Sequence, residues 1–297
     1  MKVLKFGGTS VGSAERMRGV ADIVVNDEPK IVVLSAMSGT TNSLVAIGEK
    51  LYADDKDGAK KAIAELEYKY FETVKELYKS DEYQEKANAI INEHFDFMKS
   101  FVVNVFNLFQ ERALLAQGEL LSTKMFHLFL EENGVESALL PALDFMRINR
   151  DEEPDMEYIR DHAAIEIKKR PGIKLFITQG YICRNSYGEI DNLKRGGSDY
   201  TASIVGNAVN ASEIQNKGQV EIENLKDHKN QLEIEKNNLE DKYQSLVIEL
   251  ENAQKKIKNL ENDRKNDRQK QNEFNQKIDE LNQETDYLIE EIDKWQM

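Results

Sequence analysis

Apolar and polar positions change rhythm three times along this chain. The runs "VLKF" at 3–6, "IVVLSA" at 31–36 and "KLFITQGYI" at 174–182 are short, β-rich and apolar on consecutive positions, as in strands buried on both faces. The first two lead into a turn and then a helical stretch. The third leads into a hairpin predicted through Asn185, Ser186, Tyr187 and Gly188. Between about 56 and 133 the apolar residues recur at helical spacing, most clearly in "AKKAIAELEYKYFETVKELY" and "ERALLAQGELLSTKMFHLFLEENG", with Gly134 as a C-terminal stop. Strands alternating with helices predict an α/β fold with a mostly parallel sheet.

After residue 215 the period becomes seven. With Leu225 as a d position, Leu232, Leu239, Leu246, Ala253, Leu260, Phe274, Leu281, Leu288 and Trp295 also fall at d, and only Asp267 is out of character. The a positions carry Ile222, Tyr243, Leu250, Ile257, Ile278 and Ile292, with Lys229, Lys236, Arg264, Gln271 and Thr285 between them. This seam predicts a long α-helical coiled coil, roughly 115–120 Å at about 1.5 Å per residue. Charged a positions favour a two-stranded form, hence a homodimer through 220–297. An amphipathic helix laid on the rest of the protein is the alternative, but so narrow a stripe suits a partner helix better. Glycine and proline mark the same boundary: all four prolines and fifteen of the sixteen glycines precede residue 216, and only Gly218 follows. The expected domains are therefore 1–215 and 216–297.

Composition narrows the partners. The 297 residues carry a net charge of -14, which argues against nucleic acid or an anionic membrane as the main partner. Cys183 is the only cysteine, so a reducing, cytoplasmic setting is expected. No apolar run approaches the length of a membrane span.

The candidate chemistry lies in two glycine loops. A lysine on a strand is usually a solvated residue. Lys5, however, precedes Gly7, Gly8, Thr9 and Ser10 and then the helical "SAERMRGVADIVV". Bare backbone N–H groups and a helix start beside an ammonium group suit a phosphate. The Walker pattern is excluded, because here the lysine precedes the glycines. The second loop, Arg195-Gly196-Gly197-Ser198-Asp199-Tyr200, leads to a helix expected from about Thr201. Arg195 offers a fork for a carboxylate, and Asp199 a partner for Lys5 or a proton carrier. A plain turn with a capping Ser or Asp fits the loop equally well. Glu119, within an apolar helix, needs either an internal ion pair or a ligand cation. Ser35, Ser38, Thr40 and Thr41 follow a strand at the end where α/β sheets bind ligands. The four histidines form no metal-ligand pattern.

Taken together, "KFGGTSV" at 5–11, "VLSAMSGTTN" at 33–42, "QGELLST" at 117–123, "TQGYI" at 178–182 and "RGGSDYTA" at 195–202 resemble the aspartate kinases of the amino-acid kinase superfamily over about residues 1–215. The resemblance implies a three-layer αβα sandwich and transfer of the ATP γ-phosphoryl group to the β-carboxylate of L-aspartate, the first step toward lysine, threonine and methionine. It implies Lys5 as the residue neutralising the phosphoryl group and Asp199 as the residue orienting that lysine. Gly7, Gly8 and Thr9 would lie on the phosphates. Ser35, Thr41, Glu119, Arg195 and Ser198 would hold aspartate, with Glu119 on its ammonium and Arg195 on a carboxylate. Mg²⁺ would arrive with ATP, and no protein-held metal site is expected. The "QGELLST" and "RGGSDYTA" pair disfavours another carboxylate or carbamate kinase.

The resemblance also has a limit. The family continues past "NASEIQ" with a Thr-Asp pair and an Asp-Pro-Arg segment that bind the nucleotide. Here no proline follows Pro171, and Thr285-Asp286 sits within the heptads. The expectation is a kinase lacking most of its ATP half, impaired or inactive, with an unpaired sheet edge and a tail joined by fusion. The competing expectation is a structural protein whose rod dimerises and whose head is inactive cargo.

Overall fold

The computed structural model describes residues 1–193 and 197–216, and in the tail 236, 239–240, 242–247, 250, 254, 271–272 and 275–285. The chain divides into two compact units, Met1–Leu225 and Lys226–Met297.

The first unit is built on a five-stranded sheet. Its strands are β1 (Lys2–Phe6), β2 (Lys30–Leu34), β3 (Ala138–Leu139), β4 (Leu175–Gln179) and, after a separate hairpin, β7 (Glu213–Asn216). The order is β3-β4-β2-β1-β7, and every pairing is parallel. Alternation of side chains divides the core in two. Leu4, Phe6, Val32, Leu34, Leu175 and Ile177 point to one face and join the core of helices α1 (Ala14–Val24), α2 (Thr40–Tyr52), α3 (Lys56–Leu77), α4 (Asp81–Ser100) and α5 (Leu108–Glu132). Val3, Ile31, Val33 and Phe176 point to the other, against α6 (Ala142–Phe145), α7 (Met156–Lys168) and α8 (Gly197–Ala208). The sandwich is three layers deep.

The helices start where their caps allow. Ser13, Asp55, Ser80 and Asp155 each accept a hydrogen bond from a backbone N–H of the first turn, and Asn107 with Gln110 completes a capping box at the head of α5. Gly134 ends α5 as expected: it is left-handed (φ 70°), and the Val135 N–H reaches back to the Leu130 carbonyl, the Schellman arrangement.

Three features differ from the sequence reading. The third apolar run is broken: β4 stops at Gln179, Tyr181 adopts φ 67°, and Ile182–Arg184 (β5) turns away to pair antiparallel with Ile190–Asn192 (β6). The predicted hairpin is therefore present, but its first strand is separate from the sheet. Helix α8 begins at Gly197 rather than near Thr201, so Ser198 and Asp199 lie in its first turn. Strand β7 was not anticipated, because "EIQN" has neither an apolar run nor clean alternation. It pairs with β1 on one side, has no described strand on the other, and leaves Ile214 46% exposed.

In the second unit every described residue is helical, and no described helix is long and apolar enough to cross a membrane. Among the heptad positions, Lys236, Leu239, Tyr243, Leu246, Leu250, Gln271, Ile278, Leu281 and Thr285 are described; all the others, including Ile222, Leu225, Leu232 and Trp295, lie outside the described residues.

Candidate active site

A parallel sheet gathers its loops at the carboxyl ends of its strands, and here four segments meet there. These are the loop after β1 (7–13), the loop after β2 (35–39), the turn at Gly180 and Tyr181, and the first turn of α8.

The first loop is a single 3₁₀ turn, Gly8–Val11, leading to α1. Its glycines are explained first by packing. A Cβ on Gly8 would stand 2.7 Å from the Ala36 carbonyl oxygen, and one on Gly12 would stand 2.8 Å from the Ser38 Cβ. The two loops can touch only because these side chains are missing. Gly7 is under no such constraint: its nearest neighbour would be Lys5 Nζ at 3.5 Å, so the bare backbone of Gly7 lies beside the ammonium group. The Thr9 carbonyl accepts a 3.0 Å hydrogen bond from the Arg16 guanidinium.

Lys5 and Asp199, 194 residues apart in sequence, form a 2.8 Å ion pair in which the lysine is the more buried partner. The α8 turn that carries Asp199 is held from below. Ser198 Oγ and Ser35 Oγ are 2.7 Å apart, and Ser198 fills the space that a Cβ on Gly180 would take, at 2.4 Å from its Oγ. Thr201 Oγ1 accepts from the Tyr181 N–H at 2.9 Å, which fixes the left-handed turn. Ser122 Oγ donates to the Ser35 carbonyl at 2.7 Å.

Glu119 is 5% exposed on α5, and its Oε1 accepts from the Ala36 N–H at 3.2 Å. Burial pushes its carboxyl up to about 7, against the partial relief of that hydrogen bond. It forms no ion pair among the described residues, so the internal salt bridge is not the explanation there. The neighbouring Gly118 allows the close approach, since a Cβ would meet the Ala36 Cβ at 2.7 Å.

The structure thus brings together Lys5, Gly7, Gly8, Ser35, Glu119, Ser198 and Asp199 through direct contacts or a shared loop. Thr41 lies exposed in the first turn of α2, whereas its neighbour Thr40 is buried with its hydroxyl 3.2 Å from the Tyr70 hydroxyl. Arg195 lies outside the described residues. The sequence reading passed over Ser122, Thr201 and Lys69, whose ammonium donates to the Ser38 carbonyl at 2.6 Å. Ser122 stood within "QGELLST", but nothing in that string says that its hydroxyl faces Ser35. Among the described residues no group of three or more His, Cys, Asp or Glu side chains is placed to hold a metal.

Known proteins resemble this chain in sequence and fold. The lysine-sensitive aspartokinase 3 of Escherichia coli (strain K12) is 33% identical over 216 residues, covering 71% of this chain and 47% of the relative. The chloroplastic aspartokinase 1 of Arabidopsis thaliana is 30% identical over 231 residues, covering 72% and 39%. Among solved structures, E. coli aspartokinase III with aspartate and ADP (R-state) superposes with a TM-score of 0.63 at 31% identity, covering 72% of this chain and 48% of that one. The same enzyme with lysine and aspartate (T-state) gives 0.63 at 32%. The chain spans about half the length of these relatives or less. The model of the amino acid kinase family matches residues 1–221, and the chain belongs to that family.

Proposed function

We propose that the first unit is the aspartate- and phosphate-handling part of an aspartate kinase, which transfers the γ-phosphoryl group of ATP to the β-carboxylate of L-aspartate. The observation that carries this reading is the Lys5–Asp199 pair at the carboxyl edge of the sheet, beside a buried Glu119 with no ion-pair partner among the described residues. The solved relative with aspartate and ADP adds support.

Phosphoryl transfer asks a protein chiefly for positioning and charge neutralisation. Lys5 supplies positive charge for the transferring group, and Asp199 fixes the direction of that ammonium. The backbone of Gly7, Gly8 and Thr9 lies beside it for the phosphates. Glu119 receives the substrate ammonium: a cation at its oxygens returns the carboxyl to the ionised form that burial disfavours. The Ser35 and Ser198 hydroxyls, already 2.7 Å apart, hold a carboxylate together with Thr41 and Arg195. Mg²⁺ would enter with ATP as part of the nucleotide substrate.

Residues 222–297 lie beyond the family match and carry the heptad pattern, so slow or absent turnover is proposed for this chain, with the change of role near residue 215. Cys183, buried and without a disulfide, suits a reducing compartment, and the cytoplasm is the proposed location. The test is thermal unfolding of the full chain with L-aspartate, L-glutamate and carbamate. A ligand at a hundredfold its Kd stabilises by about 2.7 kcal/mol. Stabilisation by aspartate above the other two supports the reading, and equal shifts or none contradict it.

A second reading rests on the tail. The described a and d residues Leu239, Tyr243, Leu246, Leu250, Ile278 and Leu281 are helical and 40–71% exposed, which is costly for an apolar stripe without a partner. This supports a parallel homodimer through 220–297, and with it the alternative of an interaction protein whose head is inactive cargo of a fusion. Parallel pairing sets Lys229, Lys236 and Arg264 against their own copies, which a two-stranded coil tolerates.

A further inference from the structure

The loop after β2 carries Ser35 and the Ala36 N–H, and it is clamped from three directions. The glycine loop touches it through Gly8 and Gly12. Helix α5 touches it through Gly118 and Glu119, and Ser122 holds the Ser35 carbonyl. The third clamp is α3, which carries none of the residues assigned above. Two consecutive α3 side chains reach the loop and the start of α2: Lys69 Nζ donates to the Ser38 carbonyl at 2.6 Å, and the Tyr70 hydroxyl lies 3.2 Å from the Thr40 hydroxyl. Between them stands Gly39, left-handed at φ 79°, where a Cβ would come within 3.6 Å of the Lys69 ammonium.

Lys69 is an expensive way to hold a carbonyl. It is half-buried, burial lowers its pKa, and no ion pair to it forms among the described residues. Tyr70 is fully buried, packs edge-on against Phe95 at 5.7 Å, and anchors α3 firmly beneath the loop. The ammonium therefore acts from a rigid base, and a hydrogen bond from a charged donor is stronger than a neutral one.

We propose that Lys69 is a positioning residue for the acidic substrate: by tying the Ser38 carbonyl to α3 it holds segment 36–40 against the glycine loop, and so sets the spacing between Glu119, Ser35 and the first turn of α2. This rests on the aspartate reading above. Its first consequence, a pinned loop, is measurable without any ligand.

The experiment uses the full chain with Lys69→Met, which keeps the stem and loses the donor, and Lys69→Arg, which keeps a charged donor. Amide hydrogen exchange over 36–41 and calorimetric titration with L-aspartate are read beside the melting temperature. Lys69→Met is expected to speed exchange in 36–41 and to weaken aspartate binding, each by about tenfold, with Lys69→Arg restoring most of both. Unchanged exchange in a folded Lys69→Met protein overturns the proposal. So does faster exchange with unchanged aspartate affinity, or an arginine variant no better than methionine. If Lys69→Met does not fold, Lys69→Gln takes its place under the same criteria. A parent chain that binds no aspartate refutes the substrate reading, while the exchange data still decide whether Lys69 pins the loop.

Discussion

The two units of this chain use the same apolar residues to opposite ends. In the first, the Leu, Ile, Val and Phe of β1, β2 and β4 are covered by the chain's own helices; Ile31, Val33 and Leu34, and Phe126 on α5, have no exposed surface at all. In the second, the described Leu and Ile at seven-residue spacing keep 40% or more of their surface within a single chain. Periods of two and 3.6 let a chain fold back on itself, whereas an uninterrupted period of seven along one helix demands a second helix. An apolar residue becomes core only where a partner surface exists, and the period shows whether that partner is internal.

The largest expected effects separate the units by where a truncation is felt. Phe126→Ala should destabilise the first unit by about 3–5 kcal/mol, because it empties a fully enclosed site. Denaturant unfolding reports it, and the loss should not depend on protein concentration. Leu246→Pro should cost about 3 kcal/mol or more per helix and convert a sedimenting dimer to monomer, while the first unit melts as before. A parent chain that sediments as a monomer at tens of micromolar would remove the second half of the comparison.

Smaller effects sharpen it at the site. The folded carboxyl of Glu119 titrates at about 7, above its ordinary 4.5, so the folded state favours the protonated acid. The associated stability is full below pH 4.5 and is lost as pH rises through 7. Glu119→Gln should therefore raise ligand-free stability by about 2–3 kcal/mol at pH 8, have no such effect near pH 4, and weaken aspartate binding. Melting curves at the two pH values, with and without aspartate, check all three. The smallest effect concerns His94, whose burial lowers its pKa below the ordinary 6.5 and whose Nε2 is buried without a hydrogen-bond partner among the described residues. Here the sign reverses: stability is present above about pH 6.5 and is lost as pH falls through the folded value. His94→Gln should flatten that acid limb.

Much of this was legible in the sequence because local pattern and local structure agree. The apolar runs of β1, β2 and β4, the long helices and the Gly134 stop follow from residues next to one another. Lys5, Glu119 and Asp199 announced themselves as charges in glycine-rich or apolar surroundings, where a charge needs a reason. What stayed hidden depends on contacts between segments far apart. The left-handed Tyr181, which splits the third run, is held by Thr201, twenty residues on. Strand β7 is defined by its register on β1 rather than by its own composition. Lys69 looked like one of many helix lysines, and only the fold brings it to the Ser38 carbonyl.

The central claim, that the first unit is built to hold aspartate beside a phosphate site, is tested most directly by calorimetric titration of the full chain with L-aspartate. The parent should bind one equivalent per chain, Glu119→Gln should lose about tenfold or more in affinity, and L-glutamate should bind more weakly than aspartate. Absence of binding, or equal affinity in the parent and Glu119→Gln, would contradict it.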